Sequence, residues 1–349
     1  MKFSNRTKIL AALTIVAFVF AACRDYEITT KINPDGSCER VMTVRGDSSE
    51  VVRAKFPTPI DSTWTVSFKK ADGDDFIYTA RKKFESVAKM NLELFNEKGN
   101  DVRLNIHSKL EKRFRWFFTL LKYREEYQPL FQKLPITDYL TPEELAVLLE
   151  EDEENDSVEV SKDQVEKKVE EWFKKNIFEE FYEIFLAGAE KLNEPALTVE
   201  LIKSKKNELY KKTDTDTDEV SDLVEAFEEV LKTPAVWKVA EIDSKAFQLF
   251  DEKLEFAGSL LWDDYVINIS MPGLIIDTNA KNIEGNQVSW GDEEGYKIRL
   301  LGIGDEKWVE SRIVNWWAVY ISAAIMLLLL VSIAASLRRR RNLIYKLQL

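Results

Sequence analysis

Three groups of side chains in this 349-residue sequence have types and spacing that could do chemistry. The first is Cys23, preceded by Phe20-Ala21-Ala22. Small residues just ahead of a cysteine suit a lipoprotein signal peptidase, so Cys23 is the expected lipid attachment point once the leader is cut. The second is Asp214, Asp216, Asp218 and Glu225, which occupy the first, third, fifth and twelfth places of a calcium loop. The sixth place needs Gly for its sharp turn and holds Glu219, and Ser221 stands where a branched apolar residue is usual. This stretch therefore reads as a solvated linker in which Asp218 caps the next helix. The third is His107, the one histidine of the chain. Most general-base and acyl-transfer mechanisms lean on histidine, yet this one falls on a polar strand face with Arg103, Asn105 and Lys109. Adjacent acids such as Asp263-Asp264 would suit a glycosidase, but 61 acidic residues produce such pairs by chance. Neither a phosphate loop, a dinucleotide fingerprint, a nucleophile elbow nor HExxH occurs, and Cys23 and Cys38 form no zinc pattern. The expectation is a protein that is not an enzyme and carries no cofactor and no firm metal site.

What must position these groups is set by the two ends. Residues 1–8 are basic and residues 9–22 are apolar, too short to span a bilayer and right for a signal peptide. Residues 314–337, opening with Val314 and closing with Leu337, carry no charge and are long enough to cross the hydrocarbon core. Trp316, Trp317 and Tyr320 at their start suit an interfacial aromatic belt, and Arg338 to Arg341 follow at once. The positive-inside rule puts that tail in the cytoplasm, so the expected place is the inner membrane of a bacterium, single-pass, with the main domain extracytoplasmic. Setting aside the +3 of residues 1–22 and the +5 of residues 338–349, the chain's −12 becomes −20 for residues 23–337. A domain so acidic repels phosphate backbones, which excludes nucleic acid as a partner. With 45% hydrophobic residues the chain as a whole can still build a core.

Between the ends the pattern is α+β. Residues 23–130 read as β-rich: a hairpin around Asn33-Pro34-Asp35-Gly36, with Cys38 a buried inert thiol, and a second around Gly73. A short helix follows from Ser86 to near Gly99, then a strand through Val102, Leu104 and Ile106. Alternation continues over Phe114, Trp116, Phe118 and Leu120, with Phe117 and Leu121 on the other face, so a strand buried on both faces is expected. Residues 131–260 turn helical. Thr141-Pro142-Glu143-Glu144 and Ser161 with Gln164 are helix starts, and further helices are expected near 196–212, 219–231 and 244–256. From residue 261 to 312 the β pattern returns, broken at Met271-Pro272-Gly273. The expected architecture is one antiparallel sheet built from both β segments with the helical block inserted, so that the two anchors lie close together on one membrane face.

The signal with Cys23 and the hairpin Tyr26–Val44, the stretch from Met271-Pro272-Gly273 through Thr278-Asn279-Ala280 to Gly285-Asn286-Gln287-Val288-Ser289-Trp290, and the C-terminal helix with its basic tail together resemble the LppM-like bacterial lipoproteins. They cover about half the chain, and the helical stretch departs from the pattern. The resemblance implies an α+β domain held at the membrane that contacts lipid or glycolipid rather than catalysing. Trp116, Phe117 and Phe118 are the candidate apolar contacts. The competing reading is an envelope scaffold that docks a protein partner through residues 131–260.

Overall fold

A computed structural model of the chain describes residues 24–46, 61–71, 75–95, 105–149, 162–213, 220–291 and 299–347. Strands β1 (Asp25–Ile32) and β2 (Cys38–Gly46) pair antiparallel, Tyr26 opposite Val44 and Ile32 opposite Cys38. Their turn closes through Gly36 N–H to the Asn33 carbonyl at 2.9 Å, and Asp35 Oδ1 accepts from the Ser37 amide and hydroxyl. Strands β3 (Thr65–Lys70) and β4 (Phe76–Phe84) form the second expected hairpin; Gly73 lies outside the described residues. Helix α1 (Val87–Leu94) is capped by Ser86, whose side chain accepts from Lys89 N–H. It stops at Leu94, short of the expected Gly99, which is also outside the described residues.

Strand β5 (Ile106–Phe114) then turns back as β6 (Phe118–Tyr127). The expected continuous strand through residues 114–121 is therefore a tight hairpin. After a 3-10 turn (Ile136–Asp138) come helices α2 (Pro142–Leu149), α3 (Lys162–Leu192), α4 (Val199–Ser204), α5 (Lys206–Thr213), α6 (Val220–Leu231), α7 (Ala235–Ile242) and α8 (Ser244–Trp262). Thr141 and Glu144 exchange the reciprocal bonds of a capping box at the start of α2. The single helix expected near 196–212 is two, divided at Lys205. Helix α7, led in by Pro234, was not anticipated.

Strands β7 (Asp264–Ser270), β8 (Leu274–Thr278), β9 (Asn282–Glu284) and β10 (Gln287–Gly291) follow, and a π turn (Arg299–Ile303) leads into β11 (Asp305–Val314). The fold is α+β as expected, but with two sheets instead of one. One has seven strands in the order β3-β4-β2-β1-β7-β10-β9, and the other has four, β5-β6-β11-β8. Each mixes strands from both β segments. Pairing is antiparallel except between β1 and β7. The chain changes sheets at Met271-Pro272-Gly273. Gly273 sits at φ +85°, and a Cβ there would strike the Arg312 carbonyl, so the crossing requires glycine.

The sheets face each other with β1 running towards the β5–β6 turn. Thr30 Oγ1 lies 3.2 Å from Glu125 Oε1, and Glu125 is level with Ser108 on β5. Four residues further along both β1 and β5, Lys112 Nζ reaches the Pro34 carbonyl at 3.1 Å. Arg24, bound to Asp263 at 2.8 Å, therefore stands at the end of the sandwich away from that turn. Among the described residues, Arg24 and the start of the last helix therefore lie at opposite ends of the sandwich, not close together as expected of the two ends.

Two apolar clusters fill the interior. The sandwich cluster holds Tyr26, Ile28, Met42, Leu121, Tyr123, Ile267 and Val309. A helical cluster holds Phe181, Phe185, Val224, Phe227, Val236 and Phe250. Helices α3 and α8 join them: Trp172 and Phe256 enter the first, Phe181 and Phe247 the second. The last helix, α9 (Trp316–Leu347), begins two residues after the expected Val314, which closes β11. Its stretch Trp316–Arg339 is long and apolar enough to cross a membrane and is almost wholly exposed.

Candidate functional site

The β5–β6 hairpin tip is held by a residue about 200 positions away in sequence. Arg115 N–H donates to the Phe118 carbonyl at 2.8 Å, which closes the turn. Asn315, between β11 and α9, donates its amide N–H to the Phe117 carbonyl at 2.9 Å and its side-chain Nδ2 to the Arg115 carbonyl at 2.8 Å. Its Oδ1 accepts from Thr119 Oγ1 at 3.0 Å, and its own carbonyl accepts the Ala318 and Val319 amides that open α9. One asparagine thus satisfies the hairpin loop and starts the apolar helix. Side chains complete the joint. Trp116 Nε1 donates to Ser322 Oγ at 2.8 Å, Phe114 stacks on Trp317 at 6.2 Å, and Trp116 meets Trp317 edge-on at 5.4 Å. Ser322 lies six residues into α9, roughly 9 Å along it, so the tip runs beside the first two turns of the helix.

These rings remain open to solvent: Phe114 is 57% exposed, Trp116 46% and Phe117 52%. Val314, Trp316 and Tyr320 continue the apolar surface down α9. Single exposed apolar side chains are ordinary, but a contiguous aromatic patch marks a contact surface. Of the three candidate residues, Trp116 and Phe117 stand at the tip. Phe118 lies at the start of β6, half-buried, with the Arg312 guanidinium 5.8 Å from its ring centre. Cys23, Asp214, Asp216 and Asp218 lie outside the described residues. Glu225 is exposed on α6.

A polar cluster that the sequence did not announce sits between the sheets. Arg40 on β2 and Glu125 on β6 are both fully buried, with Nη1 and Oε1 2.6 Å apart. Thr30 joins Arg40 at 2.9 Å, and the Tyr123 and Tyr127 hydroxyls donate to the two Glu125 oxygens. Burial by itself would raise the Glu125 carboxyl. The Arg40 charge and the two tyrosine hydrogen bonds outweigh it and hold the group below the ordinary glutamate range. Tyr123 is driven far up by burial and the Glu125 charge, so it stays a donor. Arg40 Nε and Nη2 have no hydrogen-bond partner, so removal of Glu125 leaves a buried cation with little to hold it. The cluster clamps one sheet to the other. Cys38, nearby on β2, is pushed up to about 12 by burial, which makes its thiol inert.

At the far end of the same four-stranded sheet lies a polar cleft of about 670 Å³, lined among others by Gln128, Lys281, Trp290, Arg299 and Lys307. Lys307 is buried, bonded to Asp305 at 2.7 Å, and lies over the Trp290 ring at 5.2 Å. Burial lowers its ammonium, with Asp305 opposing. His107 Nδ1 stands 3.6 Å from Glu126 Oε2 on the open sheet face.

No family model matches the chain, and no curated protein matches it. Among solved structures, the chain is similar to the folded domain of Mycobacterium tuberculosis LppM, determined by NMR. That likeness covers 84% of this chain and 91% of the LppM domain at 10% identity, with a TM-score of 0.30. At that level it transfers no residue role.

Proposed function

We propose that this chain is a non-enzymatic, single-pass protein of the inner membrane whose extracytoplasmic domain takes up lipid at the hairpin tip. The observation that carries this reading is the joint between tip and helix: Phe114 and Trp116 pack on Trp317, and Trp116 bonds Ser322 within the apolar helix. If α9 spans the bilayer, Trp116 and Phe117 lie in the outer leaflet's interface, where amphipathic rings are stabilised. In water the same rings would forgo about 1.5–3 kcal/mol per large side chain. The basic run Arg338–Arg341 after the apolar stretch supports a cytoplasmic C-terminus.

The test is p-benzoylphenylalanine in place of Phe117 in the full chain, irradiated in intact cells. Lipid adducts at that position are the expected result. A discrete protein adduct and no lipid would sink the reading in favour of an envelope scaffold.

A further inference from the structure

We infer that the outer face of the hairpin carries a headgroup site for anionic phospholipids of the leaflet that α9 enters; this rests on the lipid-contact reading above. Strand register sets the site. Leu120 on β6 lies opposite both Arg113 on β5 and Arg312 on β11, and Leu274 on β8 lies opposite Arg312. Residues in cross-strand register share a face. The neighbouring row, Lys112, Leu121 and Ser311, has Leu121 and Ser311 fully buried, so the Arg113–Leu120–Arg312–Leu274 row faces outwards. Arg113, Arg312 and Leu274 are exposed. Arg115 is exposed in the turn itself.

The height of that row fits the chemistry. At about 3.3 Å per residue, Arg113 and Arg312 stand roughly 7–10 Å from the aromatic tip. That is about the depth of the polar headgroup layer over the hydrocarbon core. Two arginines flanking apolar side chains present their forks to phosphate while their stems rest on Leu120 and Phe118. The Arg113 contact to Glu111, 3.3 Å, has an exposed guanidinium and a half-buried carboxylate that Lys109 also holds, and surface pairs of this kind exchange easily for a better anion. Lys112 is not part of the site, because its ammonium is spent on the Pro34 and Asp35 carbonyls.

Charge complementarity favours this occupant. A domain carrying −20 is repelled by an anionic leaflet. The β5–β6 tip nevertheless has Arg115 in its turn and Arg113 and Arg312 on the adjoining ends of β5 and β11, with Glu111 the nearest acid on β5 and Glu310 on β11.

The test uses the full chain in phosphatidylcholine vesicles, with Arg338, Arg339, Arg340, Arg341 and Lys346 changed to Gln so that the cytoplasmic tail carries no positive charge. Electron paramagnetic resonance of spin-labelled phosphatidylglycerol and phosphatidylcholine gives the preference of protein-bound lipid. A preference for phosphatidylglycerol of about threefold is expected. It should fall to near unity in R113Q/R312Q and persist in K122Q/R124Q, which removes the same charge further up the same face. A fluorescent label at Phe117→Cys, with Cys23→Ser and Cys38→Ala, reports tip depth in parallel. Blue-shifted emission with an unchanged preference in R113Q/R312Q, or an equal loss in K122Q/R124Q, overturns the headgroup site alone. Water-like emission at position 117 overturns the reading beneath it.

Discussion

Glu125→Leu should loosen the whole sandwich while leaving the helical cluster intact. Glu125 and Arg40 are fully buried and 2.6 Å apart, and two Arg40 nitrogens already lack partners. Removing the carboxylate strands a guanidinium in the core, a loss of about 3–5 kcal/mol. The Tyr123 and Tyr127 hydroxyls lose their acceptor as well, which adds to the cost. Against a typical total stability of about 5–15 kcal/mol, that is a large share. The double variant Arg40→Met/Glu125→Leu removes the stranded charge and should recover most of the loss. Hydrogen exchange read by mass spectrometry on the full chain resolves the two clusters: β1, β2 and β6 amides should lose protection and α6 amides keep theirs. The pH dependence has a fixed sign. Because Glu125 is held below its unfolded value of about 4.3, its contribution is complete above that value and fades as pH falls through the lower folded one. The native sandwich should therefore begin to open below about pH 4, and the double variant should lack that step. If Glu125→Leu costs under about 1 kcal/mol, or the double variant is no better than the worse single, the clamp argument is wrong.

Three further outcomes are expected. Cys38, with its thiol pushed up to about 12, should resist maleimide at pH 8 in the native chain and react once the chain is unfolded. Phe181→Ala should cost about 3–5 kcal/mol, because its ring meets Phe185, Phe227, Phe247 and Phe250; protection lost in α6 but retained in β6 would confirm two separable clusters. Spin labels at Asp25→Cys and Trp317→Cys should lie roughly 35–40 Å apart, given seven residues of β5 and five of β1 between their levels. A separation under about 25 Å would mean that β1 does not run as its cross-sheet contacts require.

The two N-terminal hairpins were legible because apolar residues alternate on either side of turn-forming residues, as at Asn33-Pro34-Asp35-Gly36. The capping residues Ser86 and Thr141 marked α1 and α2 for a similar local reason. Strand β11 falls within the β-rich stretch expected up to residue 312 but is not legible as a strand of its own, because its inward positions include Lys307 and Ser311 and so break the apolar alternation. The hairpin tip was misread for the opposite reason. Alternation runs unbroken from Phe114 to Leu121 with no Gly or Pro, and the group that closes the turn, Asn315, is distant in sequence. Trp116 and Phe117 could still be singled out by type. What placed them was tertiary: only the pairing of β11 with β6 brings the start of α9 to the tip. Arg40 stands in the inward alternation of Cys38, Met42 and Val44, and Glu125 in that of Leu121, Tyr123 and Tyr127, but nothing local in the sequence says that the two meet across the sheets.

The placement of Arg24 bears on how the domain meets the membrane. A lipid on Cys23 would attach one residue before Arg24, and Arg24 is fixed to Asp263 at the end of the sandwich remote from the tip. If α9 crosses the bilayer and the tip runs beside its first turns, β1 rises away from that surface towards Arg24. Tipping the sandwich flat to bring Arg24 down would pull Trp116 away from Ser322 and break the hydrogen bonds that Asn315 makes to the loop. With the sandwich upright, the contacts on α9's side are therefore the helix and the aromatic tip. If α9 crosses the bilayer, the Asn315 joint and the Trp116–Ser322 bond set the angle between domain and bilayer.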